Sequence, residues 1–583
     1  MEHPSNSQVA LALDEMAAQL EFIGRRYPAR AYRTAASSIR RMPMSVGALA
    51  MAGRAQDLRG IGRSIESRIV ELCETGRISD LEKLRQQTPV ALLVLRRMKG
   101  VSRPVADAIW NDLRLRTMEE LEEALVDGRL REVRGVGPAT EDRIRDALIQ
   151  LETQPEEIAE PLLRSHAQRA ARDLVMLLRS AVPNLERVHV TGELARGAEL
   201  VEVLDVVVVA RDSVAATRAV RDHLDDRGWH TVREDAPVAD ECLTFGLQAA
   251  TGAGVRIHVT DREHEAHSVL FATGPAEHAL QVLDRAGGGN GGPPSAASHD
   301  PDRPDAAIYA AAGLAYVPPE LRDRADVIER AAANELPALV AVDDLHGDLH
   351  VHSTWSDGRA SIADMARAAI ERGYDHLAIT DHSWSLRIVN GLSVGDLAAQ
   401  WRELEQVRAE LPDDFALLQG TEMEILPDGS LDYDDDTLAR LDWVVASIHS
   451  RQRQPADEIT RRIERAMRNP LVDCIGHPTS RLLLRRKPTE LDVDRLIELA
   501  ADTGTFLEIN SSPDRLDLNA EQAERAAAAG VRIAIHSDAH GPETLRLVDH
   551  GVAIARRAGL TRDDVTNARP WRELRELQPR WRA

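Results

Sequence analysis

From residue 348 to residue 540 the chain repeats one hydropathy pattern: a short apolar run that closes on a polar tip, followed by a segment of helical character. The first run is Asp348-Leu-His350-Val-His352, continued by Ser-Thr-Trp-Ser-Asp357-Gly. It is followed by His-Leu-Ala-Ile-Thr-Asp381-His382, Leu-Gln-Gly-Thr-Glu422, Trp-Val-Val-Ala-Ser-Ile-His449, Asp-Cys-Ile-Gly-His477, Phe-Leu-Glu-Ile-Asn510 and Ile-Ala-Ile-His-Ser-Asp538-Ala-His540. Helix-like stretches at 362–372, 457–468, 492–501 and 520–529 separate the runs. Strand, loop and helix in alternation predict a parallel α/β barrel, a distorted relative of the TIM barrel.

In such a barrel the chemistry sits on the loops at the carboxyl ends of the strands, where these histidines and carboxylates fall. A strand places residues i and i+2 on one face, so the rings of His350 and His352 converge. An isolated histidine at such a place is best read as a core residue with its ring satisfied. A whole set at successive strand ends predicts a polynuclear metal site instead. The donors are imidazole and carboxylate without thiolate, which suits zinc, manganese or iron(II) and disfavours a structural zinc site. So large a set of donors is too many for one ion. Shared between two or three divalent ions, they leave coordination positions for water and a phosphate, and hydrolysis of a phosphoester is the natural reaction class.

Length and charge add a second theme. A chain of 583 residues is too long for one core. Its 43% hydrophobic and 29% charged residues are those of a folded protein, and its formal net charge is −23. Cys73, Cys242 and Cys474 stand far apart, so disulfides are not expected. The chain shows no signal-peptide pattern and no apolar run long enough to cross a bilayer, so a cytoplasmic protein without a membrane partner is expected. The charge is uneven: residues 1–150 sum to +3, leaving −26 for the remainder.

That basic head holds three glycine turns, each leading into a helix: Leu58-Arg-Gly60-Ile-Gly62-Arg63, Met98-Lys99-Gly100-Val-Ser-Arg and Val133-Arg-Gly135-Val-Gly137-Pro. Bare backbone N–H groups at a helix start can hold a nucleic-acid phosphate without reading a base. A plain helix-loop-helix corner needs glycine only for a positive φ. Three such turns, flanked by Arg59, Arg63, Arg96, Arg97, Lys99 and Arg134, predict sequence-independent DNA binding through Gly60, Gly62, Arg63, Lys99, Gly100, Gly135 and Gly137. Nothing in the sequence specifies protein partners.

Two resemblances follow from these motifs. Residues 344–572 resemble the polymerase and histidinol phosphatase (PHP) superfamily of metal-dependent phosphoesterases. By position, the resemblance implies metal ligands at His350, His352, Asp357, His382, Glu422, His449, His477, Asp538 and His540. It also implies three ions: one on His350, His352, Glu422 and Asp538, a second on Glu422, His449 and His477, and a third on Asp357, His382 and His540. Arg481, just after Gly-His477-Pro-Thr-Ser, is a candidate for contact with a substrate phosphate.

The head turns resemble helix-hairpin-helix motifs. Together with Glu21-Phe-Ile-Gly24 and Arg30-Ala-Tyr32-Arg33, they make the whole chain similar to bacterial family X DNA polymerases fused to a PHP domain. That resemblance implies a multidomain protein. A helical DNA-binding domain is expected at 1–90, a fingers-like domain at 91–152, an α+β palm and thumb of the nucleotidyltransferase kind at 155–325 and the PHP barrel at 340–575. Tyr316-Val-Pro-Pro-Glu320 resembles the end of the thumb, and the glycine-rich stretch 287–298 reads as a flexible loop.

The palm departs from the family pattern. Two-metal nucleotidyl transfer needs carboxylates at i and i+2 of one strand and a third from a neighbour. Here Val203 stands first, Asp205 second and His258 third, while Glu193 replaces the serine that would cradle a triphosphate. Glu202 lies three residues from Asp205 and so faces the other way, and the same parity removes Asp261 as a substitute for His258. Arg68 occupies the place of the family's lyase lysine, and a protonated guanidinium makes a poor Schiff-base amine. The expectation is a metal-dependent phosphoesterase acting on DNA, a 3′-5′ exonuclease or 3′-end-processing enzyme in repair, with a degenerate polymerase centre. A template-directed polymerase, a small-molecule phosphatase of the histidinol-phosphate kind and a non-catalytic DNA scaffold are the alternatives.

Overall fold

A computed structural model describes residues 6–22, 25–40, 46–58, 60–87, 103–115, 118–138, 140–145, 161–225, 230–235, 243–248, 254–287 and 300–581. The expected multidomain architecture is present as a helical head, an α+β sheet region and a carboxyl-terminal α/β barrel. These elements are distributed over two compact units. The first comprises residues 1–162, 168–190 and 202–268; the second comprises 163–167, 191–201 and 269–583.

In the first unit, helices Asn6–Phe22, Arg26–Arg40, Val46–Met51 and Arg63–Thr75 close on a core that includes Leu13, Met16, Ile39, Ile65 and Ile69. A second small core of Ile109, Leu121, Leu130, Val133 and Ile144 follows it. The sheet of this unit has five strands: β1 (Leu185–Val190), β2 (Val203–Ala210), β3 (His230–Asp235), β4 (Leu243–Gln248) and β5 (Gly254–Thr260), ordered β1-β2-β5-β4-β3. Only the β2/β5 pair is parallel.

The barrel of the second unit has seven strands in sequence order: β6 (Gly347–Val351), β7 (His376–Ile379), β8 (Ala416–Glu424), β9 (Trp443–Ser447), β10 (Cys474–Ile475), β11 (Phe506–Asn510) and β12 (Ile533–His536). All neighbours are parallel, and a Val351–Ala539 bridge brings the first strand to the end of the last. Burial on both faces explains why these strands read as near-continuous apolar runs. Four of the intervening helices start on side-chain caps: Ser361 for Ile362–Glu371, Ser393 for Val394–Arg408, Asp492 for Val493–Thr503 and Asn519 for Ala520–Ala528. Such caps fix where each loop ends, at about 1 kcal/mol apiece.

Inside the barrel, Leu349, Ala378, Leu418, Trp443, Phe506 and Ala534 form an apolar floor, closed from the carboxyl terminus by Leu574. Trp443 stacks on Phe506 with ring centroids 5.8 Å apart. The polar tips of the strands therefore stand on a dry, packed base. No helix among the described residues is long and apolar enough to cross a membrane.

Candidate metal centre

Each of the nine predicted ligands sits at or just beyond the carboxyl end of a barrel strand. His350 closes β6 with His352 and Asp357 after it, and His382 follows β7. Glu422 lies in the last turn of β8, His449 follows β9, His477 follows β10, and Asp538 and His540 follow β12. His477 and Asp538 are held at φ +29° and +54°, a region L-residues rarely occupy and one that clusters at functional sites.

The fold brings all nine together around one carboxylate. Glu422 Oε1 lies 2.8 Å from His477 Nε2 and 3.1 Å from His449 Nε2. Its Oε2 lies 2.9 Å from His382 Nδ1, 3.5 Å from His350 Nε2 and 3.7 Å from His352 Nε2. Asp538 Oδ1 is 3.2 Å from His352 Nε2 and 3.9 Å from His350 Nε2. Asp357 Oδ1 is 3.4 Å from His540 Nε2, 3.6 Å from His382 Nε2 and 3.8 Å from His352 Nδ1. Two donors each about 2.1 Å from a shared ion can stand no more than about 4.2 Å apart, and every one of these pairs meets that limit.

His477 Nε2 and Glu422 Oε1 are within hydrogen-bond reach, but several of the other atoms make no hydrogen bond among the described residues. His350 Nε2, both ring nitrogens of His352 and His382 Nδ1 are buried without a hydrogen bond among the described residues. Imidazole nitrogens this close to carboxylates, but not aligned for hydrogen bonding, suit donation to cations. Four groups of donor atoms are close enough to share an ion: His350, His352 and Asp538; His382, Glu422 and His449; His352, Asp357, His382 and His540; and His350, Glu508 and His536, of which only His350 belongs to the nine.

Charge follows the geometry. Burial opposes ionisation of Glu422, yet His449, His382 and His350 hold its carboxyl well below the usual range. Asp538 is likewise held down against burial, chiefly by His350 and His352. Burial, reinforced by His540 and His382, pulls His352 down to about 4, which keeps that ring neutral and able to bind a metal.

A ring of groups, of which the sequence singled out only Asn510 as a strand tip, holds the candidate ligands in place. Glu508 accepts from His350 Nδ1 at 2.7 Å, from His536 Nδ1 at 2.9 Å and from the His477 backbone N–H at 2.7 Å. Glu424 accepts from His449 Nδ1 at 2.9 Å, and Asn510 donates to Asp538 at 3.0 Å. The signal was present: Glu422-x-Glu424 and Glu508-x-Asn510 each place two polar residues on one face of a buried strand.

Arg481, expected to meet a substrate phosphate, is instead engaged inside the protein. Its Nε donates to the Arg515 carbonyl at 2.8 Å, and its Nη2 donates to Glu199 at 2.7 Å and to the Leu516 carbonyl. The arginine beside the ligands is Arg515, whose Nε lies 3.9 Å from Asp538 and whose Nη1 is buried without a hydrogen bond among the described residues.

In the first unit, Val203 and Asp205 lie on β2 and His258 on β5. Asp205 is buried, paired with Arg256 at 2.9 Å and lies 3.6 Å from His258 Nε2. The carboxylate of the expected palm pattern is thus ion-paired with the residue opposite it in the strand register. Glu193 belongs to the second unit, on the short helix Gly192–Ala195. The turn after that helix is built into the barrel unit: Arg196 pairs with Asp323 at 3.0 Å, and Arg557 donates to the Arg196 carbonyl at 2.9 Å.

The two described glycine turns of the head repeat each other at an offset of 75 residues. Glu66 N–H bonds to Gly62 O at 3.0 Å, as Glu141 N–H does to Gly137 O; Ile65 and Thr140 repeat the match at 2.9 Å. Gly60 and Gly135 take φ of +92° and +97°, which explains the glycine at each. Glu66 and Glu141 are buried and brace the turns from inside, Glu66 on the Ala55 and Gln56 N–H groups and Glu141 on Arg131 and Arg145. Gly62, Arg63 and Gly137 are exposed, and a Cβ added at either glycine would meet nothing within 4 Å. Lys99 and Gly100 of the third turn, with Arg59, Arg96 and Arg97, lie outside the described residues, as does most of the stretch 287–298. Arg68 is ion-paired with Asp80.

Comparison with known proteins agrees with both halves. The helix-hairpin-helix domain family matches residues 4–78 and the PHP domain family matches residues 348–512. The chain is 33% identical over 572 residues to the DNA polymerase/3′-5′ exonuclease PolX of Bacillus subtilis (strain 168), covering 96% of this chain and 97% of that protein. It is 31% identical over 233 residues to a probable phosphatase of Thermoanaerobacter sp. (strain X514), covering 38% of this chain and 89% of that protein. A probable phosphatase of Shewanella oneidensis is 27% identical over 234 residues, covering 38% of this chain and 87% of that protein.

Proposed function

The chain belongs to the bacterial family X DNA polymerases that carry a PHP domain, and on that premise we propose that it is a metal-dependent phosphoesterase that shortens DNA strands from the 3′ end. The observation that carries this reading is the set of nine donors gathered around Glu422, several with buried nitrogens that make no hydrogen bond among the described residues. Two or three divalent ions, of the manganese, zinc or iron kind, are proposed. His350, His352, Glu422 and Asp538 would hold one, Glu422, His449 and His477 a second, and Asp357, His382 and His540 a third. When bound, such ions lower the pKa of water and draw off the charge of the entering and leaving oxygens of a phosphoester.

The chain's own residues supply the rest. Glu508 and Glu424 fix which ring nitrogen of His350 and His449 faces the centre, because each accepts from the opposite nitrogen. The floor of Trp443 and Phe506 excludes water from beneath. Arg515, fixed beside Asp538, is placed to meet an anionic oxygen of the substrate. The exposed turns at Gly60–Arg63 and Gly135–Gly137, with Lys99 and Gly100 in the third, are proposed to hold DNA by backbone contacts that read no sequence.

The polymerase centre is proposed to be inactive, because Asp205 has Val203 and His258 where carboxylates are needed and is paired with Arg256. A manganese-dependent time course on a 5′-labelled gapped primer-template, with and without dNTPs, tests both halves. Shortening that disappears in His350→Ala/His352→Ala is expected. Lengthening with dNTPs would overturn the reading of the palm.

A further inference from the structure

Among the described residues of the second unit, five large apolar side chains are exposed, and three lie on one stretch of the barrel rim: Trp384 at 41%, Ile388 at 93% and Val394 at 51%. The stretch begins right after the candidate ligand His382. Two residues of extended chain span about 7 Å, so the Trp384 Cα lies no farther than that from the His382 Cα.

This loop is pinned. Leu392 N–H bonds back to His382 O at 2.8 Å and Ser383 N–H to Glu422 O at 3.1 Å. Ser385 N–H bonds to Asp432 at 2.6 Å and the Asn390 amide to Ser356 O at 3.2 Å. Arg387 sits over the indole, with its guanidinium carbon 3.3 Å from the ring centroid of Trp384. One face of the ring is thereby covered by a cation. Other exposed cations follow neighbouring ligands: Arg451 and Arg453 after His449, and Arg485 and Lys487 after His477.

A fixed tryptophan backed by arginine, next to a phosphoester-cleaving centre and flanked by cations, has the chemistry of a nucleobase platform. Every base has a π-face, the arginine adds to the stack, and the surrounding charge suits a phosphate chain. We infer that Trp384, stiffened by Arg387, stacks on the base nearest the phosphoester being cut. The inference rests on the exonuclease reading and adds to it the residue that registers the strand.

The test uses the full-length protein with manganese and 5′-labelled oligonucleotides that end either in a normal 3′ nucleotide or in an abasic tetrahydrofuran nucleotide. Stacking of this kind predicts that Trp384→Ala lowers kcat/KM on the intact strand about 10-fold. Removing the terminal base should cost the unaltered protein a similar factor, and should cost Trp384→Ala less than about 2-fold. Trp384→Phe, which keeps a π-face, should recover most of the rate. Cleavage of the intact strand by Trp384→Ala at the original rate would overturn the platform and leave the exonuclease reading standing. An equal fall on both strands would also overturn it, by showing that the loop acts through His382. A shift of Trp384→Ala to a different oligomeric state in sedimentation would mean that a second copy, and not a base, covers the ring. Failure of the unaltered protein to shorten any oligonucleotide would instead sink the exonuclease reading, and this inference with it.

Discussion

Arg481 and Glu199 form an ion pair of 2.7 Å that ties the loop behind the candidate ligand His477 to the turn after helix Gly192–Ala195. Arg481 also supports the backbone of Arg515 and Leu516, so one guanidinium holds three segments of the barrel unit. Removing it leaves Glu199 and two carbonyls short of a donor. Arg481→Ala should cost on the order of 2 kcal/mol of stability. Arg515→Ala should cost less stability but lower phosphoester hydrolysis at least about 10-fold, since a charge-assisted contact to the substrate is lost. Thermal unfolding and steady-state rates on the same two variants decide the matter. A destabilised Arg515 variant with normal turnover would exchange the two roles.

Glu508 offers a second test. Its carboxylate braces His350, His536 and the His477 backbone at once, and no donor of the candidate metal set is removed by Glu508→Gln. Loss of such a brace typically weakens metal binding by about 10- to 100-fold. Chelator competition on the purified full chain should show that drop while circular dichroism stays unchanged. Undiminished affinity would mean that the ligands are held by the strands alone.

Much of this site could be read from the sequence because strand ends are legible. A buried parallel strand is an unbroken apolar run, so the residue that breaks it marks the rim, and His350, His382, Glu422, His449, His477 and Asp538 were all found that way. Glu422 as the hub was not legible, because pattern gives position around the barrel but not side-chain reach across it. Glu508 hides inside a run that reads as apolar, and Glu424 lies two residues past the tip at which its run reads as ending. Arg481 and Arg515 both lie on loops, where spacing does not fix direction, and only the folded loops show that the first faces Glu199 and the second Asp538. In the head the glycines announced the turns. The buried Glu66 and Glu141 that brace them carry no periodic signal.

The palm supports a prediction about repair by mutation. Restoring the missing carboxylates with Val203→Asp and His258→Asp supplies three acids on β2 and β5, but Arg256 remains 2.9 Å from Asp205 and stands opposite it in the strand register. A carboxylate already paired and hydrogen-bonded is a poor metal ligand, so the double variant should still give no primer extension. Extension products on a gapped template from this variant would show that Arg256 yields readily to a metal ion.

Protons and metal ions should compete for the same centre. In the metal-free protein, burial pulls His382 down, but Glu422 and Asp357 outweigh it and push the ring up to about 10. His540 is likewise pushed up to about 9 against burial by Asp357 and Asp538. For groups raised above the ordinary histidine value, the stability they add is fully present below about pH 6.5 and is lost as pH rises through about 9 to 10. On the acid side Asp357 and Asp538, held far below the usual carboxylate range, contribute stability that is lost only as pH falls well below about 4. The metal-free protein should therefore melt at a lower temperature at about pH 10 than at about pH 6.5, all else equal. A bound metal needs the neutral rings, so loading at about pH 8 should release protons and affinity should rise with pH over this range. Calorimetry of manganese binding in buffers of different ionisation enthalpy counts those protons. A count of zero, together with melting of the metal-free protein that does not change with pH, would show that the imidazoles are already neutral and that Glu422 and Asp357 do not hold protons on them.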